Sequence, residues 1–168
     1  MNITILYNDI KQLNACIGTW ISDIDLSIEY NTEYIHIDKF DMNSLFHSWS
    51  NTEYKYFLLC YDINYVHVER LYLEVSKYTG AVFMGGNPST KQFKNININR
   101  YIPCNAMVFD KECVNIINSK IRDIEGDDPY DKIAYIINTS GIREVNNEKF
   151  RHCNCYGYIE RESWAHEC

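Results

Sequence analysis

The sequence predicts an α/β fold, a central sheet covered by helices. Three observations carry this. Short apolar or β-branched runs recur at residues 2–7, 54–60, 81–84 and 106–109. Segments with apolar residues at helical spacing separate them. Gly and Pro are scarce, seven and three in 168 residues, and no low-complexity linker, repeat or charge block divides the chain. A single domain is therefore expected, spanning residues 1–168 with a frayed tail from 153. In such a sheet, ligands are expected outside the carboxyl ends of the strands.

Each element has its own signal. NITILY, from Asn2 to Tyr7, is a β-branched run ending at Asn8-Asp9 and reads as the first strand. KQLNACIGTWI (11–21) sets Leu13, Ile17 and Trp20 on one helical face, although Gly18 weakens a helix there. Residues 27–30 and 34–37 alternate and read as strands. Residues 41–52 read as a short helix or loop, and Tyr54 to Cys60 as a buried strand. Val66 to Tyr78 is amphipathic, with Val68, Leu71 and Val75 at helical spacing, and Gly80 is placed as its closing C′ residue. Ala81 to Met84 reads as a strand running into the loop GGNPS. Residues 90–101 are polar, lack a clear period and read as a mobile loop. Ala106 to Phe109 reads as a strand, followed by a helix from Lys111 to Lys120. Asp128-Pro129 has the signature of a helix start, an N-cap acid before Pro at the first turn, and Gly141 closes that helix. Val145 to His152 reads as a last strand.

Composition excludes several functions. Hydrophobic residues make up 46% and the formal net charge is -7, so the chain is globular and a poor match to a phosphate backbone. No nucleic-acid partner is expected. Seven cysteines, an odd number, include Cys16 and Cys60 inside apolar runs. That pattern fits buried free thiols in a reducing compartment rather than a disulfide framework. MNITILYNDI lacks a basic n-region and no run of 18 apolar residues occurs, so a cytoplasmic protein without a membrane span is expected.

Chemistry concentrates at Asp62. The apolar run Phe57-Leu58-Leu59-Cys60 ends in Tyr61-Asp62-Ile63-Asn64. An acid at a strand-to-helix junction either caps the following helix or points at a ligand beyond the strand end. The stretch KYFLLCYDINYVHVERLYLEVSKY…VFMGGNPS resembles the strand, acidic motif and helix of Fringe-type glycosyltransferases and the related β1,3-galactosyltransferases. Tyr61-Asp62-Ile63 stands where that family carries an aspartate triplet, and Asn64-Tyr65-Val66 matches the family residues just after the triplet. LNACIGTWISDIDLSIEY, GNPS, DDPYDKIAYIINTSGI and Phe150-Arg151-His152 resemble further family segments in the same order. The likeness covers roughly residues 13 to 152.

The resemblance implies a GT-A-like, nucleotide-sugar-binding sheet. It also implies transfer of a sugar from a UDP-sugar to an acceptor hydroxyl with inversion, and Mn²⁺ as cofactor. The acceptor class stays open between a glycan, a protein and a small molecule. On this likeness Asp62 and His152 are the metal ligands, Tyr61, Asp62 and Asn64 line the donor, and Asp127 or Asp128 is the base. The division of labour has a physical logic. A divalent cation offsets charge on a departing diphosphate, hard cations take carboxylate oxygens and Mn²⁺ accepts imidazole, and a separate carboxylate deprotonates the acceptor. Two departures stand out: Ile63, at a position where the family has a metal-binding acid, cannot bind a cation, and Cys104-Asn105-Ala106-Met107 replaces a glycine-rich stretch, with side chains that narrow the space a sugar occupies. The alternative is a catalytically degenerate binding protein of the same fold with a protein or saccharide partner. The C-terminal His152, Cys153, Cys155, His166 and Cys168 are five potential zinc ligands, but Cys-x-Cys is not the usual knuckle, and incidental cysteines are the simpler reading.

Overall fold

The computed structural model describes residues 1–21, 29–62, 64–102 and 106–147, together with the backbone of 165–167. The α/β sheet flanked by helices, expected for a GT-A-like chain, is what it contains. The strands are β1 (Asn2–Tyr7), β2 (Asn31–His36), β3 (Tyr56–Tyr61), β4 (Asn64–Val66), β5 (Val82–Gly85), β6 (Ser89–Phe93), β7 (Ile96–Arg100), β8 (Met107–Asp110), β9 (Arg143–Asn146) and β10 (Ala165–Glu167). The α-helices are α1 (Ile10–Cys16), α2 (Met42–Ser50), α3 (Val68–Val75), α4 (Lys111–Lys120) and α5 (Pro129–Thr139).

Among the described residues, six strands form the main sheet in the order β2-β1-β3-β8-β5-β9. Only β8 runs against the others. The register is set by alternation: β3 sends Tyr56, Leu58 and Cys60 to one face and Phe57 and Leu59 to the other. On the first face Leu13 and Cys16 of α1 pack with Val68, Leu71 and Val75 of α3. On the second, Phe46 and Trp49 of α2 meet Val114 and Ile117 of α4 and Ile133, Ile136 and Ile137 of α5. That face is aromatic. Phe46 packs edge-on to Phe109 at 5.2 Å between ring centroids, and Trp49 lies 5.1 Å from Phe57. A two-sided sheet of this kind explains why β3 reads as a continuous apolar run.

Several expectations need correction. Residues 90–101 are not a loop but a hairpin, β6 paired antiparallel with β7 around Lys94-Asn95. Both turn residues have positive φ, 47° and 65°, which defines the tight turn whose twist suits a two-residue hairpin. The helix expected to end at Gly80 stops at Val75 with Ser76 as its C-cap, and Gly80, at φ 82°, sits in the turn before β5. The helix over 11–21 becomes α1 followed by a π-helical turn, Ile17–Ile21. Of the two strands read at 27–37, one is found, β2; residues 27 and 28 lie outside the described residues. The last strand begins at Arg143 and its residues from 148 onward also lie outside them.

Candidate active site

The site begins with the path of the chain. From β1 it passes to β2 on one side, then crosses back to β3 on the other. Successive connections diverge at β1 and β3, and a crevice opens outside the carboxyl ends of the two strands where an α/β sheet does this. Asp62 is the first residue beyond β3. Its backbone N–H donates to the Leu6 carbonyl of β1 at 2.9 Å, so the acid is pinned at that divergence. It is 8% exposed. Beside it, Tyr7 and His36, the last residues of β1 and β2, pack edge to face at 5.3 Å.

Asp62 does not cap the next helix. The N-cap of α3 is His67, without a side-chain cap hydrogen bond, and strand β4 intervenes, paired with β10. The capping explanation for a lone acid at this junction is therefore excluded by the fold. Asp62 is thus a buried carboxylate at the sheet end whose position is not explained by capping.

Tyr61 ends β3 half-buried and links Asp62 to the second acidic stretch. Its phenol lies close to that of Tyr130, which is pushed above the ordinary tyrosine range, first by burial and then by Tyr61. Tyr130 is the second residue of α5, so the start of that helix, with Asp128, lies near the same end of the sheet. Asp128 is the N-cap of α5, as the sequence predicts. Its Oδ1 accepts from the Tyr130 N–H at 2.9 Å and its Oδ2 from an Arg100 guanidinium nitrogen at 2.7 Å. Burial alone would raise the Asp128 carboxyl, but the Arg100 and backbone hydrogen bonds outweigh it and hold the group below the usual carboxylate range. A base held that way is a weak proton acceptor. Asp127 is exposed, and no described residue hydrogen-bonds or pairs with it, so it is the freer of the two carboxylates.

Four residues here were not singled out from sequence. Arg100 and Lys91 arrive on the hairpin, and Asp131 and Tyr130 on α5. Asp131 is 3% exposed. Lys91 Nζ contacts its Oδ2 at 2.5 Å and Arg100 Nε approaches its Oδ1 at 3.1 Å. That second contact is an ion pair without hydrogen-bond alignment. The Arg100 guanidinium also lies 5.5 Å from the Tyr130 ring. Reading residues 90–101 as a loop hid this network. Ile96 and Ile98 in alternation after Lys94-Asn95 are a faint signal for the second strand of the hairpin, but not for the partner of Arg100.

The metal expectation meets a poor donor set. A divalent cation takes several oxygen or nitrogen ligands. Among the described residues no three His, Cys, Asp or Glu side chains converge into such a set. Asp62 supplies one carboxylate and Ile63 only hydrocarbon; His152 lies outside the described residues, as do four of the seven cysteines and the other C-terminal candidate zinc ligands. The Asn64 backbone pairs with Glu167. Cys16, Cys60 and Cys113 are buried and in no disulfide, and burial pushes the Cys60 and Cys113 thiols well above the usual range, which makes those two inert rather than nucleophilic. No described helix is long and apolar enough to cross a membrane.

No protein-family model and no curated protein matches the chain. Among solved structures it is similar to 4-diphosphocytidyl-2C-methyl-D-erythritol synthase from Anaerococcus prevotii, at 12% identity over 89% of this chain and 90% of that one, with a TM-score of 0.46. It is also similar to a structure described as a glucose-1-phosphate thymidylyltransferase from Bacillus anthracis, at 10% identity over 86% of this chain and 66% of that one, with a TM-score of 0.44.

Proposed function

We propose that the chain binds a nucleotide sugar, a UDP-sugar on the resemblance to Fringe-type enzymes, and transfers the sugar to an acceptor hydroxyl with inversion. The observation that carries the proposal is Asp62: a buried acid at the point where the strand connections diverge, with no helix to cap. The donor diphosphate would lie across the ends of β1 and β3, beside Tyr61 and Asn64. Asp127, exposed and unpaired among the described residues, is assigned the base; Asp128 shapes the helix start and orients Arg100. Where Mn²⁺ is used, Asp62 and His152 are the residues that would hold it, and it would supply charge compensation for the leaving group.

Release of UDP from UDP-glucose, UDP-galactose and UDP-N-acetylglucosamine, each with a panel of saccharide acceptors, tests the proposal. Turnover that falls at least ~100-fold in Asp127→Asn, and less in Asp128→Asn, supports it. Unchanged turnover in Asp127→Asn removes the base assignment. A second reading, donor or saccharide binding without transfer, is favoured by Ile63 in the metal motif and by Ala106. Ala106 takes a left-handed backbone at φ 53° while fully buried, where the family's glycine-rich stretch would leave room. Tight UDP binding without turnover on any donor is the result this reading expects.

A further inference from the structure

Three residues form one row across the carboxyl end of the sheet. Tyr7 of β1 is in register with His36 of β2, and Leu6 of β1 with Tyr61 of β3. Continuing that register sets Asp62 level with Tyr7, where its N–H already holds the Leu6 carbonyl. Alternation along the strands puts all three on one face. Tyr7 packs with the cluster of Leu13 and Val68, whereas Leu6, Ile35 and Tyr61, one residue earlier on each strand, belong to the opposite face. His36 and Asp62 therefore flank Tyr7 at two strand spacings from one another, about 10 Å.

His36 is the member of the row with a free hydrogen-bonding edge. Its Nδ1 accepts the Asp38 N–H at 3.3 Å, which caps the short 3₁₀ turn Ile37–Lys39. The Asp38 carboxylate is 3.6 Å from the same nitrogen, beyond hydrogen-bond length. With Nδ1 an acceptor, a neutral imidazole carries its hydrogen on Nε2, and a protonated one carries hydrogen there as well. Nε2 is thus a donor in either state, and no described residue accepts from it. The side chain is 30% exposed. Tyr7 fixes its plane, the two rings meeting at 90°. A histidine without such a lock could offer either nitrogen.

We infer that His36 is the base-selecting residue of the nucleotide site: its Nε2–H reads a carbonyl on the edge of a pyrimidine and selects uracil over cytosine. The inference rests on the reading of the Asp62 end as a nucleotide diphosphate site. With the diphosphate at Asp62, the nucleoside runs along the row and its base reaches Tyr7 and His36. Two aromatic rings held at right angles let a planar base pack against one and hydrogen-bond to the other. The bases differ at one exocyclic group: uracil, like thymine, carries the acceptor O4, and cytosine carries an amino donor there. A fixed N–H bonds the first. It meets the second donor to donor and leaves both groups unsatisfied.

Calorimetric titration of UDP and CDP into the full chain, as wild type and as His36→Asn, tests this. Asparagine keeps the cap on the 3₁₀ turn, so the fold is retained, but it is too short to present a donor where Nε2 stands. We expect the wild type to bind UDP about tenfold tighter than CDP, one hydrogen bond's worth. His36→Asn should bind the two within about twofold of each other, through loss of UDP affinity. A purely structural role would weaken both nucleotides alike and leave their ratio unchanged. Equal binding of UDP and CDP by the wild type, or an unchanged ratio in His36→Asn, would overturn the assignment of His36 and leave the Asp62 site standing. Binding of neither nucleotide by a folded wild type would overturn the site and the assignment together. Nitrogen NMR of the ligand-free protein should find Nδ1 as the unprotonated nitrogen of neutral His36; finding Nε2 unprotonated would also overturn the assignment.

Discussion

Asp131 is the buried charge whose removal from its partners can be worked through in stages. Its side chain is 5% exposed, Lys91 is 49% exposed and Arg100 24%. Breaking a fully buried pair by deleting one partner costs about 3–5 kcal/mol, while an exposed pair contributes at most about 1 kcal/mol. Lys91→Met should therefore cost about 1 kcal/mol, since Arg100 still covers Asp131. Arg100→Met should cost about 2 kcal/mol, because it also strips Asp128. The double variant leaves a buried carboxylate with neither cation. Its added penalty has a ceiling: protonating an ordinary Asp at pH 7 costs about 4 kcal/mol. The expected double loss is about 4–5 kcal/mol, exceeding the sum of the singles by about 1–2 kcal/mol. Adding Asp131→Asn to the double variant should return part of it. Urea unfolding at pH 7 with an unchanged m-value measures all four variants. A double loss that is strictly additive and totals less than about 1 kcal/mol would refute this reading, since the network would then be an ordinary surface cluster.

Three other outcomes are expected. Lys111 donates to the Trp49 and Ser50 carbonyls at 3.0 and 2.9 Å and also to that of Thr52, so it closes the C-terminus of α2; Lys111→Met should cost about 2 kcal/mol by denaturant unfolding. The Lys94-Asn95 turn asks two side-chain-bearing residues for positive φ, and Lys94→Asn with Asn95→Gly should stabilise the protein by about 1 kcal/mol in the same assay. Asp128 has a folded pKa below its unfolded one, so its contribution is present above the unfolded value and is lost as pH falls through the folded one. NMR titration should find Asp128 below the ordinary carboxylate range, and moved upward in Arg100→Met.

The fold is legible in the sequence wherever local signals are strong. β1, β3, β5, β8, α4 and α5 can be read because their apolar periods serve one sheet with two covered faces, and because Asp128-Pro129 is a local helix start. The β6–β7 hairpin is not legible in the same way. Its strands are mostly exposed, with Ile98 the one fully buried residue between Ser89 and Arg100, so there is little hydrophobic period to read. The site divides along the same line. Asp62 and Asp128 announce themselves through their place at element ends, and the helix-cap alternative for Asp62 falls only because β4 and His67 stand between it and α3. Arg100 and Asp131 meet across about thirty positions of sequence, through a turn whose geometry depends on two left-handed residues, and no local pattern encodes that pairing.

The central claim is that Asp62 faces a nucleotide diphosphate at the ends of β1 and β3. Calorimetric titration of UDP into the wild type and Asp62→Ala, with and without Mn²⁺, tests it most directly. We expect the wild type to bind UDP and Asp62→Ala to lose that binding at least tenfold, about 1.4 kcal/mol, with any strengthening by Mn²⁺ lost in the same variant. UDP binding of equal strength in both proteins, or no UDP binding by a folded wild type under either condition, would contradict the claim.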